Sequence, residues 1–293
     1  MTSSEILIRD PFILPYQGKY YLYGTRSETA FARKAFGFDV YVSEDLRNWS
    51  APAECFHRPE GFWATMHYWA PEVHLYRDVF YMFATFSDGK RQGTSILRSE
   101  SPLGPFRLWS EGTITPQNWA ALDGTFYVGK DGAPYMVFCH EWKQVHDGAV
   151  CAVRLSEDLR RPAGEPFVLF TASQGRPLTH SYFLRNYVTD GPFLLRTGDG
   201  KLHMLWSSFG KNHKYVQALA HSDNDDITGK WSVDKRLLYD QDGGHGMIFV
   251  TREGNLCLTL HSPNRLKKEH PVFIPIRYQD GVLAIAPGKE GAT

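Results

Sequence analysis

The sequence lacks a long hydrophobic run, an excess of charge of one sign and a paired cysteine motif. None of its apolar runs approaches the 18 residues that a membrane helix needs, so we expect no membrane partner. Its 32 Lys and Arg balance 32 Asp and Glu, which argues against a nucleic-acid partner, because such proteins carry a basic surface. The four cysteines show no C-x-x-C spacing, which favours buried free thiols over a metal or redox site.

Two further absences bear on location and fold. The first ten residues contain no basic segment followed by an apolar stretch, so we expect a cytoplasmic protein, or a secreted one whose leader was removed. No segment sustains the 3.6-residue period of an amphipathic helix, which argues against helices alternating with strands. The chain is instead rich in aromatic residues, at 14%, with 26 Gly and 17 Pro, and this composition favours many short strands joined by turns.

Five similar segments recur at intervals of about 60 residues. Each opens with a turn residue or a short polar pair and continues as a strand of aromatic and β-branched residues. A period near 60 is too long for a helical solenoid and fits four strands with their loops. The sequence therefore predicts an all-β, five-bladed β-propeller with four-stranded blades, forming a single domain over residues 1–293. Equivalent positions in the five segments are Tyr21, Tyr81, Tyr135, His203 and Leu256.

A second repeated element begins with a distinctive residue followed by Gly or Pro and an apolar strand. Because the first strand of each blade lines the channel of a propeller, three carboxylates and one imidazole are expected to converge there. Repulsion between like charges makes such a cluster costly, and a fold does not need it for stability. We therefore favour a functional role over a set of turn residues. The five occupants are Asp10, Ala70, Asp123, Asp190 and His245.

Several carboxyl groups in one channel fit the hydrolysis of glycosidic bonds. One carboxylic acid must protonate the leaving oxygen, and one carboxylate must activate water. Inversion needs the two groups to stand about 6.5–9.5 Å apart, which opposite walls of a channel can provide. A third carboxylate nearby can keep the acid protonated by repulsion.

Aromatic side chains beside these positions offer flat surfaces for the C–H faces of sugars. Two long insertions, residues 26–38 and 171–188, could close the channel mouth into a pocket, since long loops in compact domains are often binding loops. The second insertion carries Phe183 among its aromatic residues. The residues expected to contact substrate are Phe31, Tyr68, Trp69, Ala70, Trp119 and Glu141.

The chain resembles glycoside hydrolase family 43 from about residue 8 to residue 276. The resemblance implies a five-bladed propeller, an inverting mechanism, and release of L-arabinofuranose or D-xylose from plant cell-wall polysaccharides. It implies that Asp10 is the general base, that Asp123 orients the acid and tunes its pKa, and that His245 helps to hold a calcium ion or a water cluster, directly or through water. The motifs that carry it are Arg9-Asp-Pro-Phe-Ile, Tyr68-Trp-Ala-Pro-Glu-Val-His, Leu122-Asp-Gly-Thr-Phe, Gly243-Gly-His-Gly-Met-Ile-Phe and Leu260-His-Ser-Pro-Asn.

Three departures from the family pattern matter. The acid of the family is usually Glu in a Glu-Gly-Pro motif, and Asp190 stands there in this chain. We expect Asp190 to be the general acid, with Glu72 and Glu141 as the spare carboxyl groups. The family's Glu-Arg-Pro reads Glu269-His-Pro, so an arginine contact near the catalytic end is expected to be missing. We expect no C-terminal β-sandwich module after the fifth blade.

The leading expectation is an exo-acting β-xylosidase or α-L-arabinofuranosidase that acts on pentose-containing oligosaccharides or polysaccharides. The same-class alternative is an endo-1,5-α-L-arabinanase, which would need an open groove in place of a pocket. The alternative from another class is a non-catalytic glycan-binding propeller, although such a module has no need for paired acids. No cofactor is required for this chemistry, and calcium in the channel is optional.

Overall fold

The computed structural model describes residues 1–182 and 185–287, so Phe183 of the second insertion and residues 288–293 of the predicted domain lie outside the described residues. Blade one contains β1 (Ile8–Tyr16), β2 (Lys19–Arg26), β3 (Gly37–Ser43) and β4 (Ala53–His57). Blade two contains β5 (Met66–Tyr76), β6 (Val79–Ser87), β7 (Gln92–Ser99) and β8 (Arg107–Leu108). Blade three contains β9 (Ala121–Val128), β10 (Pro134–His140), β11 (Ala149–Arg154) and β12 (Phe167–Thr171).

The last two blades repeat the same plan. Blade four contains β13 (Asp190–Arg196), β14 (Leu202–Phe209), β15 (Tyr215–Ser222) and β16 (Trp231–Val233). Blade five contains β17 (Gly244–Val250), β18 (Leu256–Ser262), β19 (His270–Gln279) and β20 (Val282–Ile285). The helical segments of the described residues are short: α1 (Trp142–Val145) and 3-10 turns at Ser3–Glu5, Ala172–Gly175 and Lys211–His213. None of them is long and apolar enough to cross a membrane.

Each blade is an antiparallel sheet of four consecutive strands. The inner strands contact one another in a closed ring, β1 with β5, β5 with β9, β9 with β13, β13 with β17 and β17 with β1. The five-bladed all-β fold predicted from the repeats is therefore confirmed. Buried aromatic and aliphatic side chains of neighbouring sheets pack into the cores between blades. All four cysteines are buried and free, as their spacing predicted.

Every inner strand carries a β-bulge near its start. The pairing of β1 with β2 is interrupted between Arg9 and Phe12, and β5, β9, β13 and β17 are interrupted at the corresponding place. Non-glycine residues rarely adopt a positive φ, and such strain concentrates at functional sites. The bulged residues all have a positive φ: Asp10 (54°), Ala70 (46°), Asp123 (58°), Gly191 (51°) and His245 (52°).

This register corrects one prediction from the repeats. Gly191, not Asp190, occupies the bulge of blade four, and Asp190 stands one residue earlier, at the position of Arg9 and Trp69. The physical reason is the ring of His245. A Cβ at Gly191 would lie 2.6 Å from His245 Cδ2, so the bulge of blade four has no room for a side chain.

Hydrogen bonds between blades fix the bulges. In four blades, a side chain of the second strand accepts the N–H of the next blade's bulged residue. Blade three is the exception, because Cys139, which pairs with Leu122, stands where the other blades have the accepting side chain. The N–H of Gly191, the bulged residue of blade four, donates to Asp123 Oδ2 at 3.1 Å instead. The four regular bonds run from Ala70 to Thr25 Oγ1 (2.8 Å), Asp123 to Thr85 Oγ1 (2.8 Å), His245 to Ser207 Oγ (2.7 Å) and Asp10 to His261 Nδ1 (3.1 Å).

Candidate active site

A pocket of about 140 Å³ lies where the bulges of the inner strands meet. At roughly 10–15 Å³ for each water position, it holds about ten non-hydrogen atoms, which is the size of one pentose. One wall consists of Arg9, Asp10, Phe31 and Trp69, and the other of Glu141, Trp142, Lys143, Asp190 and Tyr215. Leu122, Asp123 and His245 lie with them in the lining.

Asp10 is surrounded by hydrogen-bond donors. Thr25 Oγ1 donates to Asp10 Oδ2 at 2.6 Å, and His245 Nδ1 lies 3.2 Å from Oδ1. Burial alone would raise the pKa of Asp10, but His245, Arg9 and the Thr25 hydroxyl lower it below its usual range. His261 is also adjacent, but burial lowers its own pKa to about 3, so it is neutral and accepts the Asp10 N–H. Asp10 is therefore an ionised carboxylate, the form that a general base requires.

Asp190 has the opposite environment. Burial first, and then the negative charge of Glu141, raise the pKa of Asp190 to about 7. A hydrogen bond from the Tyr215 hydroxyl to Asp190 Oδ2, 3.0 Å long, opposes that rise. A carboxyl group with a pKa near neutrality can hold a proton and release it, which is what a general acid must do.

Asp123 is a third, buried carboxyl group of the same pocket. Burial and the charges of Asp190 and Asp10 raise its pKa well above the usual range. Asp123 Oδ2 accepts the Gly191 N–H and lies 3.8 Å from His245 Nδ1. Because Asp123 and Asp190 repel each other, ionisation of one disfavours ionisation of the other. The bond to Gly191 ties Asp123 to the residue that follows Asp190 in the chain.

His245 bridges two carboxyl groups of the pocket through its Nδ1 atom. Its Nε2 atom is buried without a partner among the residues that the structure describes. Calcium takes six to eight oxygen ligands, and an imidazole nitrogen is a poor substitute. No group of three or more His, Cys, Asp or Glu within the described ranges could hold a metal ion. These donors do not make a calcium cage, so no step below uses calcium.

Three other predicted substrate contacts also line the pocket. Phe31 and Trp69 stand edge to face at 5.8 Å, and the Trp69 indole N–H donates to the Ala30 carbonyl. The insertion over residues 26–38 is thus fixed against the pocket wall. Glu141 is buried at the start of α1, and burial raises its pKa.

The structure does not bring the remaining candidates into the pocket. Tyr68 is packed in the core of blades one and two, and its hydroxyl donates to the Ala64 carbonyl. Ala70 is buried in the bulge, where it has no exposed side chain. Trp119 lines a neighbouring groove, stacked on His140 at 4.0 Å. The spare acid Glu72 lies outside the pocket, 3.1 Å from His74 Nε2.

Sequence reasoning overlooked Arg9 and Tyr215 as pocket residues. Arg9 lines the pocket, and its guanidinium reaches Asn264 Oδ1 at 2.8 Å and Glu269 Oε1 at 3.4 Å. Its adjacency to Asp10 was the available signal. Tyr215 stacks on His261 at 5.5 Å and comes from the third strand of its blade, where the repeat pattern gave no signal.

Comparisons with known proteins identify the family of the chain. The model of glycosyl hydrolases family 43 matches residues 4–283. An endo-arabinase from Bacteroides thetaiotaomicron VPI-5482 is 40% identical, with 96% of this chain and 98% of that chain covered and a TM-score of 0.88. An endo-1,4-beta-xylanase from the same organism is 25% identical, with 98% and 96% covered and a TM-score of 0.79.

A more distant similarity reaches a Bacillus subtilis (strain 168) protein described as extracellular endo-alpha-(1->5)-L-arabinanase 1. The two are 22% identical over 173 residues, which cover 55% of this chain and half of that protein's length. The family model covers nearly the whole propeller, including both walls of the pocket. The chain belongs to glycosyl hydrolases family 43.

Proposed function

We propose that this family 43 glycosidase hydrolyses α-L-arabinofuranosyl linkages of arabinan with inversion of configuration. The observation that carries the proposal is the contrast between two aspartates in one pocket. The pKa of Asp10 is lowered, whereas that of Asp190 is raised to about 7. Two carboxyl groups whose pKa values are driven apart match the base and the acid of an inverting glycosidase.

The proposed reaction is a single displacement. Asp190 donates its proton to the glycosidic oxygen as the bond from that oxygen to the anomeric carbon breaks. Asp10 takes a proton from the water that forms the new bond on the opposite face of the sugar. Afterwards Asp10 is protonated and Asp190 is ionised, and exchange with solvent restores both. Asp123 orients the acid through the Gly191 N–H, and repulsion between the two carboxyl groups disfavours the ionisation of both at once.

No cofactor takes part in this scheme. The ring of Trp69 and the exposed ring of Phe31 offer apolar faces to the sugar, and Arg9 offers donors to its hydroxyl groups. The calcium implied by the family resemblance stays a prediction, as does the cytoplasmic location.

The choice of arabinan rests on similarity to the Bacteroides endo-arabinase at 40% identity. This favours the endo-arabinanase alternative over the exo-acting reading that the sequence first suggested. The pentose-sized pocket keeps exo-acting release of arabinose or xylose as a second candidate, since such a pocket suits one terminal sugar. A non-catalytic propeller has no use for two carboxyl groups with opposed pKa shifts.

Product analysis tests the proposal. Linear 1,5-α-arabinan, xylan, aryl α-L-arabinofuranoside and aryl β-D-xyloside are incubated with the enzyme, and the products are separated by size. Arabino-oligosaccharides of several lengths are expected from arabinan, and proton NMR of the first-formed reducing end should report inversion. Release of monosaccharide alone would select the exo-acting candidate. Retention would overturn the mechanism, and inactivity on both arabinosyl substrates would overturn the arabinan assignment.

A further inference from the structure

We propose that a second groove, adjoining the pocket between blades two and three, binds further sugar units of the polysaccharide being cut. The groove has a volume of about 500 Å³, several times that of the pocket. This inference rests on the proposed function, because it takes the occupant to be a continuation of the chain held in the pocket.

The groove and the pocket share a wall. His67 lines the groove and stacks flat on Trp69 of the pocket, with ring centroids 4.1 Å apart. Gln144 lines the groove, and its N–H donates to the carbonyl of Glu141 of the pocket at 2.9 Å. A chain that leaves the pocket over this ridge would enter the groove directly.

The groove's chemistry fits a neutral polyhydroxyl chain. None of its lining residues is acidic, and four of them carry amide side chains, of which the exposed Gln117 and Asn118 can donate to and accept from sugar hydroxyls. One of its two cations, Arg91, is paired with Asp88 at 3.3 Å. Trp119 adds an aromatic surface. The four amides are Gln92, Gln117, Asn118 and Gln144.

Hydrogen bonds hold the floor of the groove in place. Gln144 Oε1 accepts the Ala120 N–H at 2.7 Å, and its Nε2 donates to the Asn118 carbonyl at 2.9 Å. By contrast, the exposed side chains of Gln117 and Asn118 make no hydrogen bond to another residue within the described ranges. A rigid floor with free amide groups above it is pre-organised for a ligand, which reduces the entropy cost of binding.

A double variant, Gln117→Ala with Asn118→Ala, tests the groove. Its kcat/KM is measured on arabinotriose and on long linear arabinan. Loss of two hydrogen-bonding side chains should lower the value on long arabinan about tenfold and leave that on arabinotriose unchanged. Gln279→Ala, an exposed amide on blade five, is the matched control and should change neither.

The outcomes separate this inference from the proposed function. If the unaltered enzyme cleaves neither arabinotriose nor long linear arabinan, the proposed function is wrong. If it cleaves both and the double variant loses nothing on long arabinan, the groove proposal is wrong. An equal loss of kcat/KM on both substrates would also overturn it, because the substitutions would then disturb the pocket itself and not the binding of further sugar units. Calorimetry with arabino-oligosaccharides of increasing length, in an Asp10→Asn background, should give affinity that rises with length only when the groove is intact.

Discussion

Asp10 and Asp190 are both aspartates of inner strands in one pocket, yet their pKa values move in opposite directions. Around Asp10, the Thr25 hydroxyl, Arg9 and His245 favour the charged form. Around Asp190, burial and the charge of Glu141 disfavour the charged form, and the Tyr215 hydroxyl and the more weakly acting Arg9 only partly oppose them. Burial acts in the same direction on both, so the neighbouring groups decide which carboxyl is the base and which is the acid.

The two walls also differ in how the backbone presents the carboxyl group. Asp10 lies in the bulge itself at a positive φ, whereas Asp190 lies one residue before the bulge of its blade. The His245 ring fills the space above Gly191, so the acid cannot come from the bulged residue. The contact between His245 and Gly191 therefore places the acid one residue before the bulge, whereas the base lies in the bulge.

Removing the base should have the largest effect. Asp10→Asn keeps the shape of the side chain but cannot take a proton from water. We expect kcat to fall by roughly 10²–10⁴-fold on every substrate, whether its leaving group is good or poor. Steady-state kinetics measures the loss, and calorimetry with arabino-oligosaccharides should find binding retained. An unchanged rate would remove Asp10 from the mechanism.

Removing the acid should have an effect that depends on the substrate. Asp190→Ala should slow arabinan hydrolysis by roughly 10²-fold or more, because a sugar alcohol leaves poorly without a proton. An aryl α-L-arabinofuranoside, whose leaving group is good, should be affected far less.

Glu72→Gln is the control for this second prediction, since Glu72 lies outside the pocket. It should leave both rates unchanged. If Glu72→Gln or Glu141→Gln carried the dependence on the leaving group and Asp190→Ala slowed both substrates equally, the acid would be assigned to the wrong residue.

The positions of the pocket residues were only partly predictable from the sequence. Repeat spacing predicts the blades and brings Asp10, Asp123 and His245 together, because backbone periodicity alone sets their height in the channel. The one-residue offset of Asp190 was missed, since it depends on the His245 ring packing over Gly191, a contact between blades. Tyr68 was misplaced for a related reason. Neighbours in a strand point to opposite faces, so Tyr68 enters the core while Trp69 lines the pocket.

Removing a negative charge near Asp190 should have a moderate effect on the pH dependence of the reaction. Glu141→Gln removes the charge that, after burial, most raises the pKa of Asp190. The acid should then ionise at lower pH, so the basic limb of the kcat/KM profile should move down by about one unit. Asp123→Asn should move the limb in the same direction and lower activity as well. A limb that stays in place in both variants would mean that Asp190 does not set it.

Raising the pKa of Asp190 further, and so widening its difference from the pKa of Asp10, should have the smallest effect. The basic limb of the kcat/KM profile should then move in the opposite direction. The Tyr215 hydroxyl donates to Asp190 Oδ2 and thereby stabilises the ionised acid. Tyr215→Phe deletes that donor and keeps the ring stacked on His261. The pKa of Asp190 should rise, so the acid stays protonated to higher pH and the basic limb should move up, by less than one unit.

Tyr23→Phe is the matched control for this last prediction. Tyr23 is also buried, and its hydroxyl donates to the Pro102 carbonyl at 2.6 Å, outside the pocket. Both variants lose one buried hydrogen bond, so each should lower the free energy of unfolding by about 1 kcal/mol. Only Tyr215→Phe should move the limb, because only its hydroxyl contacts a carboxyl group that titrates in the reaction. A downward shift in Tyr215→Phe would contradict this prediction, because it would mean that the hydroxyl accepts a hydrogen bond from protonated Asp190 instead of donating one to its carboxylate.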